Sequence, residues 1–457
     1  MKFDCLVAEI GSTTTVINAF DQINTENPEF VSQGQAPTSV YDGDVNIGLL
    51  QAIDNLKEKL DLDELEYDKL LATSSAAGGL KMTVHGLVYD MTVKAAKEAA
   101  LGAGANLHLV TSGRLRRTDI KKIYDVEPNI MLIAGGVNYG ERDTALYNAE
   151  VIADLDLNVP VIYAGNVENQ DEIKLIFEEA GKEDVLYIVE NVYPVIDKIN
   201  IEPTRKVIHN VFEKHIIHAP GMEKIKEVVN GQIVPTPGAV MEASKLFKEN
   251  VSDVVTVDVG GATTDIHSVT EGSEEISRIL LSPEPVSKRT VEGDLGVYVN
   301  MKNIIDLIGK EEIISSLEID EDEYNEIVND YKPIPKTNIE KKFVEKLAKK
   351  ATVTSSHRHA GQFRDLYSSG GKKTLAEGKD LTSIEYIIGT GGALTRLPER
   401  VNILKEIAKS NKGDKLLPTN EAEILIDNDY IMASLGVLSK ENKKAALNLL
   451  KKSLKLK

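Results

Sequence analysis

The sequence is short of thiols, tryptophan and basic charge. Its 457 residues include one cysteine, Cys5, and no tryptophan. With a single thiol, no disulfide framework or cysteine-ligated cluster can form within a chain. No uninterrupted apolar run reaches the ~18 residues that a membrane-spanning helix needs, so we expect no membrane partner. The 53 Lys and Arg residues face 72 Asp and Glu residues, for a net charge of −19. Nucleic acid is therefore not an expected partner, because phosphate neutralisation needs clustered basic side chains.

The remaining composition is that of an intracellular, enzyme-like protein. Hydrophobic residues make up 42% of the chain, which is enough to bury substantial cores, and the length suggests two or more domains. The first residues, 1–4, carry an early acid and lead into a strand-like run, unlike a secretory signal. We therefore expect a cytoplasmic protein.

The most informative stretch spans residues 254–267. An apolar, β-branched run ends there in Asp258, two glycines and two threonines follow, and the chain returns to alternating residues. This pattern predicts a β-hairpin with a glycine-bearing tip. Successive N–H groups at such a tip can form an anion nest, and Asp258 stands where a carboxylate can hold hydrated Mg²⁺. An ordinary hairpin fits the same pattern. The candidate phosphate contacts are Gly260, Gly261, Ala262, Thr263 and Thr264.

A second stretch near the N-terminus repeats the pattern. Residues 3–20 again read as a strand, an acidic residue (Glu9), a glycine, a hydroxyl cluster and a returning strand. Two similar hairpin tips far apart in sequence make a shared phosphate-binding role more specific than either tip alone. The candidate phosphate contacts in this copy are Gly11, Ser12, Thr13 and Thr14.

A third glycine-rich stretch lies near the C-terminus. Residues 386–394 read as a strand that enters a glycine-rich turn and then a helix. Glycines let a flat base or ribose lie against the backbone, and a helix start presents N–H groups. The candidate nucleotide contacts are Gly389, Gly391 and Gly392.

In this order, the three stretches resemble the motifs of the actin-like ATPase superfamily, which includes sugar kinases and heat-shock chaperone ATPases. Residues 11–14 resemble its first phosphate loop, residues 258–264 its second, and residues 389–392 its adenosine loop. The resemblance implies an α/β, two-lobed actin-like (ribonuclease H-like) fold that binds ATP and Mg²⁺. It implies catalytic and metal-holding roles for Asp258 and for Glu9, although the superfamily usually has Asp where Glu9 stands.

The expected domain organisation follows the two hairpins. We predict a first lobe over residues 1–250, with an extra β-α-β elaboration near 150–230, where strand-like and helical runs alternate. We predict a second lobe over residues 251–457, with a charged helical insertion near 298–380.

Three local features permit two interpretations each. Gly135, Gly136 and Asn138 form either a partner or substrate loop or an ordinary turn from sheet to helix. The basic cluster at residues 356–361 is either a phosphate or partner site or a solvated helix end. Glu292 and Asp294, beyond the second hairpin, contact nucleotide or metal-bound water, or Asp294 caps a helix, and for Asp294 we favour the cap.

Four motifs together resemble the accessory MutL family, which is associated with adenosylcobalamin-dependent glutamate mutase. A related form accompanies ornithine aminomutase. The resemblance implies an ATPase that reactivates or protects such an aminomutase, whose subunits are its partners, and a homodimer is a further expectation. The motifs are residues 9–15, 71–80, 258–265 and 290–296.

Other functions remain open at this point. A small-molecule kinase would use the same nucleotide site with an Asp base beside a bound hydroxyl, and turnover that depends on an added sugar or acid would identify it. Iron–sulfur dehydratase activators share the fold but need cysteine thiolates, and this chain has one cysteine. A filament-like structural role would appear as sedimentation with ATP.

Overall fold

The computed structural model describes residues 2–75, 80–215, 221–368 and 371–456. The chain divides into two compact units, Met1–Ala239 and Val240–Lys457. No helix among the described residues combines the length and the apolar character that a membrane crossing requires. Residues 76–79, within one of the family motifs, and residues 369–370 lie outside the described part.

The first unit alternates strands and helices. In chain order its elements are β1 (Lys2–Ile10), β2 (Thr14–Asp21), β3 (Glu29–Pro37), α1 (Val45–Leu60), β4 (Glu66–Ser74), β5 (Leu80–Gly86), α2 (Lys94–Gly102), β6 (Ala105–Ser112), α3 (Arg117–Val126), β7 (Ile130–Ile133), α4 (Asp143–Ala153), β8 (Val161–Tyr163), α5 (Gln170–Glu179), β9 (Leu186–Ile188), α6 (Glu202–His215) and β10 (Ile233–Pro235).

The first sheet of this unit has the order β10-β4-β1-β2-β3. The strands β1, β2 and β3 form an antiparallel meander, and β4 and β10 run parallel to β1. The central strand β1 is buried almost throughout because both faces are covered, and Cys5 lies within it at 1% exposure. The predicted N-terminal hairpin is confirmed.

A second sheet of the same unit is wholly parallel. Its order is β6-β5-β7-β8-β9, which is 2-1-3-4-5 in chain order, a doubly wound arrangement with helices between the strands. Parallel strands need such crossovers. The β8-α5-β9 unit within the predicted elaboration belongs to this sheet, whose first strand begins at Leu80.

The second unit starts inside α7 (Thr236–Asn250), whose first two residues are a threonine and a proline. The elements that follow are β11 (Val254–Val259), β12 (Thr264–Val269), α8 (Glu274–Ser277), β13 (Ser287–Glu292), α9 (Met301–Ile308), α10 (Lys310–Leu317), α11 (Glu321–Asn329), α12 (Asn338–His359), β14 (Gln362–Ser368), β15 (Gly371–Glu377), β16 (Tyr386–Thr390), α13 (Gly391–Arg396), α14 (Arg400–Lys409), β17 (Glu423–Ile426), α15 (Met432–Leu438) and α16 (Lys443–Ser453).

The main sheet of the second unit repeats the topology of the first. Its order is β13-β12-β11-β16-β17, with β11, β12 and β13 antiparallel and with β16 and β17 parallel to β11. Two copies of one ribonuclease H-like sheet in a single chain make the actin-like, two-lobed fold class, which is confirmed. The region 298–380 contains α9 to α12 and a β14–β15 hairpin.

The core of the second unit lies between its sheet and α12. Val255 and Val257 of β11 belong to the same buried cluster as Phe343 and Leu347 of α12. Burying each such side chain contributes roughly 1.5–3 kcal/mol to the free energy of unfolding. The region 298–380 therefore supplies part of the core behind β11, the strand that leads to Asp258.

Candidate nucleotide site

The tip of the first hairpin is a tight turn closed by its own backbone. The N–H of Gly11 donates to the carbonyl of Thr14 at 2.9 Å, and a Cβ on Gly11 would lie 2.8 Å from the same oxygen. Thr38, directly after β3, also closes the turn, because its Oγ1 donates to the carbonyl of Gly11 at 2.8 Å. The carbonyl of Gly11 is therefore hydrogen-bonded within the protein, and the hydroxyl-bearing residues form the tip of the turn.

The acidic residue of this hairpin is hydrogen-bonded to an amide of the neighbouring strand. Glu9 is 7% exposed, and its Oε1 accepts a hydrogen bond from Asn18 Nδ2 at 3.2 Å. Asn18 Oδ1 in turn accepts one from Gln33 Nε2 at 3.3 Å. The carboxylate of Glu9 is thus oriented by amide groups of β2 and β3.

The tip of the second hairpin closes in the same way. The N–H of Gly260 donates to the carbonyl of Thr263 at 2.9 Å, while the N–H of Val297 donates to the carbonyl of Gly260 at 3.1 Å. Asn300 Nδ2 donates to the carbonyl of Ala262 at 2.9 Å. The carbonyls of the tip are therefore used by the loop that follows β13, as an anion-binding tip requires if its N–H groups are to face a ligand.

Gly296 in that loop lies against the tip. A Cβ there would collide with the carbonyl of Ala262, so only glycine allows the loop to approach. The motif at residues 290–296 thus supports the second tip through its backbone, a role that its sequence does not reveal.

The second hairpin places two carboxylates opposite each other. Asp258 of β11 is paired across the strands with Asp265 of β12. Arg289 of β13, 1% exposed, donates to Asp265 Oδ1 from Nε at 2.8 Å and from Nη2 at 2.6 Å. Thr263 Oγ1 donates to the other oxygen of Asp265 at 2.8 Å. The buried guanidinium offsets the repulsion that two adjacent carboxylates would otherwise feel.

The third stretch lies beside the second hairpin within the same unit. Thr390 is the parallel neighbour of Asp258, and Gly391 follows it with φ +83°, a conformation that favours glycine. A Cβ on Gly391 would collide with Asp258 Oδ1, whereas one on Gly392 would meet open space. The candidate catalytic carboxylate and the candidate adenosine loop are therefore immediate neighbours.

Two residues hold this third loop in place. Asp427, fully buried after β17, accepts hydrogen bonds from Thr390 Oγ1 at 3.0 Å and from the N–H of Met432 at 2.9 Å. Burial raises the pKa of the Asp427 carboxyl above its usual value, and the hydrogen bonds that it accepts oppose that rise. Gly389 lies inside β16, where a Cβ would meet the end of the Leu404 side chain, Cδ1, at 2.7 Å, so helix packing favours a small residue there.

The basic cluster at residues 356–361 is engaged within the second unit. It forms the last turn of α12, where His359 bridges Ser268 and Thr290 at 2.7 and 2.9 Å. Arg358 binds Asp294 and Glu292 at 2.6 to 2.9 Å. The arrangement is neither a phosphate site built on all these side chains nor a merely solvated helix end.

The predicted capping role of Asp294 is wrong. The helix α9 begins at Met301, and its N-cap position is held by Asn300. Arg358 lowers the pKa of Asp294 by hydrogen bonding, whereas burial raises the pKa of Glu292. The sequence offered no signal for this cluster, because its partners lie more than sixty positions apart.

The loop at residues 135–140 follows β7 in the second sheet of the first unit. Gly136 has φ +70°, and a Cβ on it would collide with the carbonyl of Glu141. Asn191 Nδ2 donates to the carbonyl of Gly136 at 3.0 Å and to Asn138 Oδ1 at 2.9 Å. The hydrogen bonds of the loop are those of a turn from sheet to helix, and such a turn can also carry side chains that bind a partner.

The donor chemistry fits a hydrated magnesium ion that is held mainly by a nucleotide. Mg²⁺ in such sites takes one or two carboxylates together with water and phosphate oxygens. Asp258 is half-buried at the end of β11, and the tip that follows it carries the hydroxyls of Thr263 and Thr264. Within the described ranges, no group of three or more His, Cys, Asp or Glu residues is arranged to hold a metal without such a ligand.

Comparison with known proteins gives matches over the full chain. The family model described as MutL protein matches residues 5–454. Protein MutL of Clostridium tetanomorphum is 34% identical over 462 residues, which is 98% of either chain. The nucleotide-free diol dehydratase-reactivating factor covers 97% of this chain and 100% of its own, with TM-score 0.38 and 11% identity. Component A of (R)-2-hydroxyglutaryl-CoA dehydratase from Acidaminococcus fermentans covers 99% of both chains, with TM-score 0.31 and 8% identity.

Proposed function

The chain belongs to the MutL family, as its motifs predict, and from that premise we propose that it is an ATP-dependent accessory protein of an adenosylcobalamin-dependent aminomutase. Its role is to reactivate or protect the mutase. Glutamate mutase is the first candidate partner and ornithine aminomutase the second. The observation that carries the ATPase part is the contact of the second hairpin tip with the Gly391 loop around Asp258.

The proposed nucleotide contacts follow from the two tips. Backbone N–H groups at residues 11–14 and 260–264 bind the phosphates, and the loop at Gly391 and Gly392 admits the adenosine. Asp258 holds the metal water or orients the attacking water, with Glu9 as a second carboxylate. Mg²⁺, when bound, neutralises phosphate charge.

The proposed coupling is thermodynamic. A nucleotide shifts a conformational equilibrium only through its different affinity for the two states. If the mutase also binds the two states differently, ATP and mutase change each other's affinity by the same factor, and a typical coupling of ~1–3 kcal/mol corresponds to roughly 5–150-fold. Such a cycle loosens a mutase that holds a damaged cofactor and lets intact cofactor enter.

The test is a reactivation assay. Purified glutamate mutase, and in parallel ornithine aminomutase, is inactivated by turnover and then given this protein, MgATP and fresh adenosylcobalamin. We expect recovery that needs all three additions. A non-hydrolysable ATP analogue in place of ATP separates binding from hydrolysis.

Two results would overturn the proposal. Equal recovery with cofactor alone removes the need for this protein. An unchanged mutase affinity with and without ATP removes the coupling. Nucleotide turnover that depends on an added small hydroxyl compound would then favour a kinase of the same superfamily.

A further inference from the structure

The carboxyl edge of the parallel sheet in the first unit is lined with exposed apolar side chains. Tyr139 follows β7, Val167 follows β8, and Val195 and Ile196 follow β9. Tyr139 is 79% exposed, Ile196 63% and Val195 58%. We call these four residues the carboxyl-edge patch. In doubly wound sheets, ligands bind at this edge.

Asn138 brings the patch together. Its backbone N–H donates to the carbonyl of Pro194 at 2.9 Å, next to Val195. Its side-chain Oδ1 accepts from the N–H of Val167 at 3.2 Å. The three loops are therefore tied at one residue, and their apolar side chains stand around it.

The patch is held rigidly before any partner arrives. The N–H of Tyr139 donates to Oδ1 of Asn166, which is fully buried, at 3.0 Å. Tyr139 itself has φ +62°, a left-handed conformation that a bulky side chain rarely adopts. An exposed aromatic in a strained, pinned loop points to function rather than packing, and tyrosine is enriched among the residues that dominate interfaces.

The ends of β5 and β7 on this edge are poorly suited to an anionic small molecule. Thr92 Oγ1 accepts the N–H groups of Leu87 and Val88 after β5, at 3.1 and 3.2 Å. At the start of α4, Glu141 Oε1 accepts the N–H of Thr144 at 2.9 Å. The donors that would bind a phosphate at two neighbouring strand ends are thus occupied by the chain's own oxygens.

The border of the patch is acidic. Arg142 directs its guanidinium to Asn169 and to the carbonyl of Glu168, and Lys198 is the other nearby base in these loops. The exposed acids in the same loops are Glu141, Asp143, Glu168, Glu190 and Asp197. An apolar centre with an acidic border is complementary to a protein surface whose apolar centre is bordered by Lys and Arg.

We propose that the carboxyl-edge patch is the docking surface for the aminomutase partner, which presents an apolar area bordered by basic residues. This inference deepens the proposed function and rests on it. The nucleotide site and the docking surface then lie on different loops, so that one can be changed without the other.

The test uses the double variant Tyr139→Gly/Ile196→Ser in the full-length chain. Glycine suits the left-handed backbone at Tyr139, so the exposed ring is removed without new strain. The matched control is Leu175→Ser, which removes a 51% exposed apolar side chain from α5 in the same unit. Binding to turnover-inactivated glutamate mutase and ornithine aminomutase is measured by calorimetry, together with reactivation and MgATP binding.

We expect the double variant to lose mutase affinity on the order of 10–100-fold while MgATP binding is unchanged, because two central apolar contacts are removed. The Leu175→Ser control should behave as the wild type. Glu168→Lys should slow association and weaken the salt dependence, because it reverses one charge of the border.

Three outcomes would overturn the assignment and can be told apart. If the wild type reactivates a mutase and the double variant does so equally well, the patch is not the docking surface and the proposed function stands. If the wild type binds neither mutase in any nucleotide state, the proposed function fails and the docking assignment fails with it. If the wild type sediments as a dimer and the double variant as a monomer, the patch joins two copies of this chain.

Discussion

The two hairpin tips have the same backbone hydrogen bond and differ in what surrounds their acidic residue. In both, the N–H of the first glycine donates at 2.9 Å to a threonine carbonyl three positions later. Glu9 is buried beside neutral amides, whereas Asp258 faces Asp265, whose charge is balanced by Arg289. The two hairpins thus have the same strand topology, but the charges around their acidic residues differ. We infer that the second tip performs the acid-dependent step and that the first mainly positions phosphate.

The largest expected effect on activity comes from replacing each of the two acids, one at a time, by its amide. Asp258→Asn should lower ATP hydrolysis by roughly 10²-fold or more, on the usual scale of lost acid–base or metal-orienting groups, and leave nucleotide binding largely intact. Glu9→Gln should have a smaller effect, because an amide can remain hydrogen-bonded within the layer formed by Asn18 and Gln33. Single-turnover hydrolysis with calorimetry of MgATP binding measures both.

Equal losses in the two variants would break the comparison. Unchanged turnover in Asp258→Asn would assign that residue a structural role. The double variant adds a check, since independent roles give multiplicative losses and a shared role does not.

Acid should weaken both units, and the second unit more. Burial lowers the pKa of His85 in β5 to about 4 and of His267 in β12 to about 3, and it lowers the pKa of His359 in α12 well below the usual value. Below about pH 6.5 these histidines are protonated in the unfolded chain but stay neutral in the folded chain. The free energy of unfolding therefore falls as the pH falls. From pH 7 to 5 the loss is about 2 kcal/mol each for His85 and His267, at 1.36 kcal/mol per pKa unit.

Hydrogen exchange of the intact chain, resolved by peptide and corrected for intrinsic rates, separates the two units. Two histidines should sensitise the peptides of β12 and α12, and one should sensitise those of β5. His85→Gln should reduce the acid response of the first unit alone. A uniform response in all peptides would contradict the prediction.

A methyl group at Gly391 should disturb Asp258 directly. Gly391→Ala places a Cβ on a residue at φ +83° and against Asp258 Oδ1. We expect a loss of about 1–2 kcal/mol from the left-handed backbone, seen in thermal unfolding, and a fall in hydrolysis. Gly392→Ala is the control because its Cβ would meet open space. If Gly391→Ala retains full hydrolysis, the contact has no catalytic consequence.

The smallest expected effect concerns the supports of the two tips. Thr38→Val removes the hydroxyl that donates to Gly11, and Asn300→Leu removes the amide that donates to Ala262. Each should cost roughly 0.5–1.5 kcal/mol of stability. Since both hydrogen bonds order a proposed phosphate-binding tip, MgATP affinity should fall modestly in each. A change in one variant alone would show that the tips do not contribute alike.

Local patterns sufficed to predict both hairpins and their glycine tips, because turn residues act within a few positions. The Arg289–Asp265 pair could not be predicted, since strand pairing brings those residues together across 24 positions. The contacts of Arg358 could not be predicted for the same reason, because α12 and β13 meet only in the folded unit. The parallel sheet from Leu80 to Ile188 was found in part, as short strands carry little periodicity.

The single thiol of the chain is a built-in probe of opening. Cys5 lies in the middle of β1 at 1% exposure, so a thiol reagent reaches it only when the first sheet separates. When the chain recloses faster than it reacts, the labelling rate divided by that of a free thiol is the fraction of molecules open at any moment. The same measurement with ATP, with ADP and without nucleotide reports how tightly each state holds the strand that carries Glu9, with no introduced cysteine.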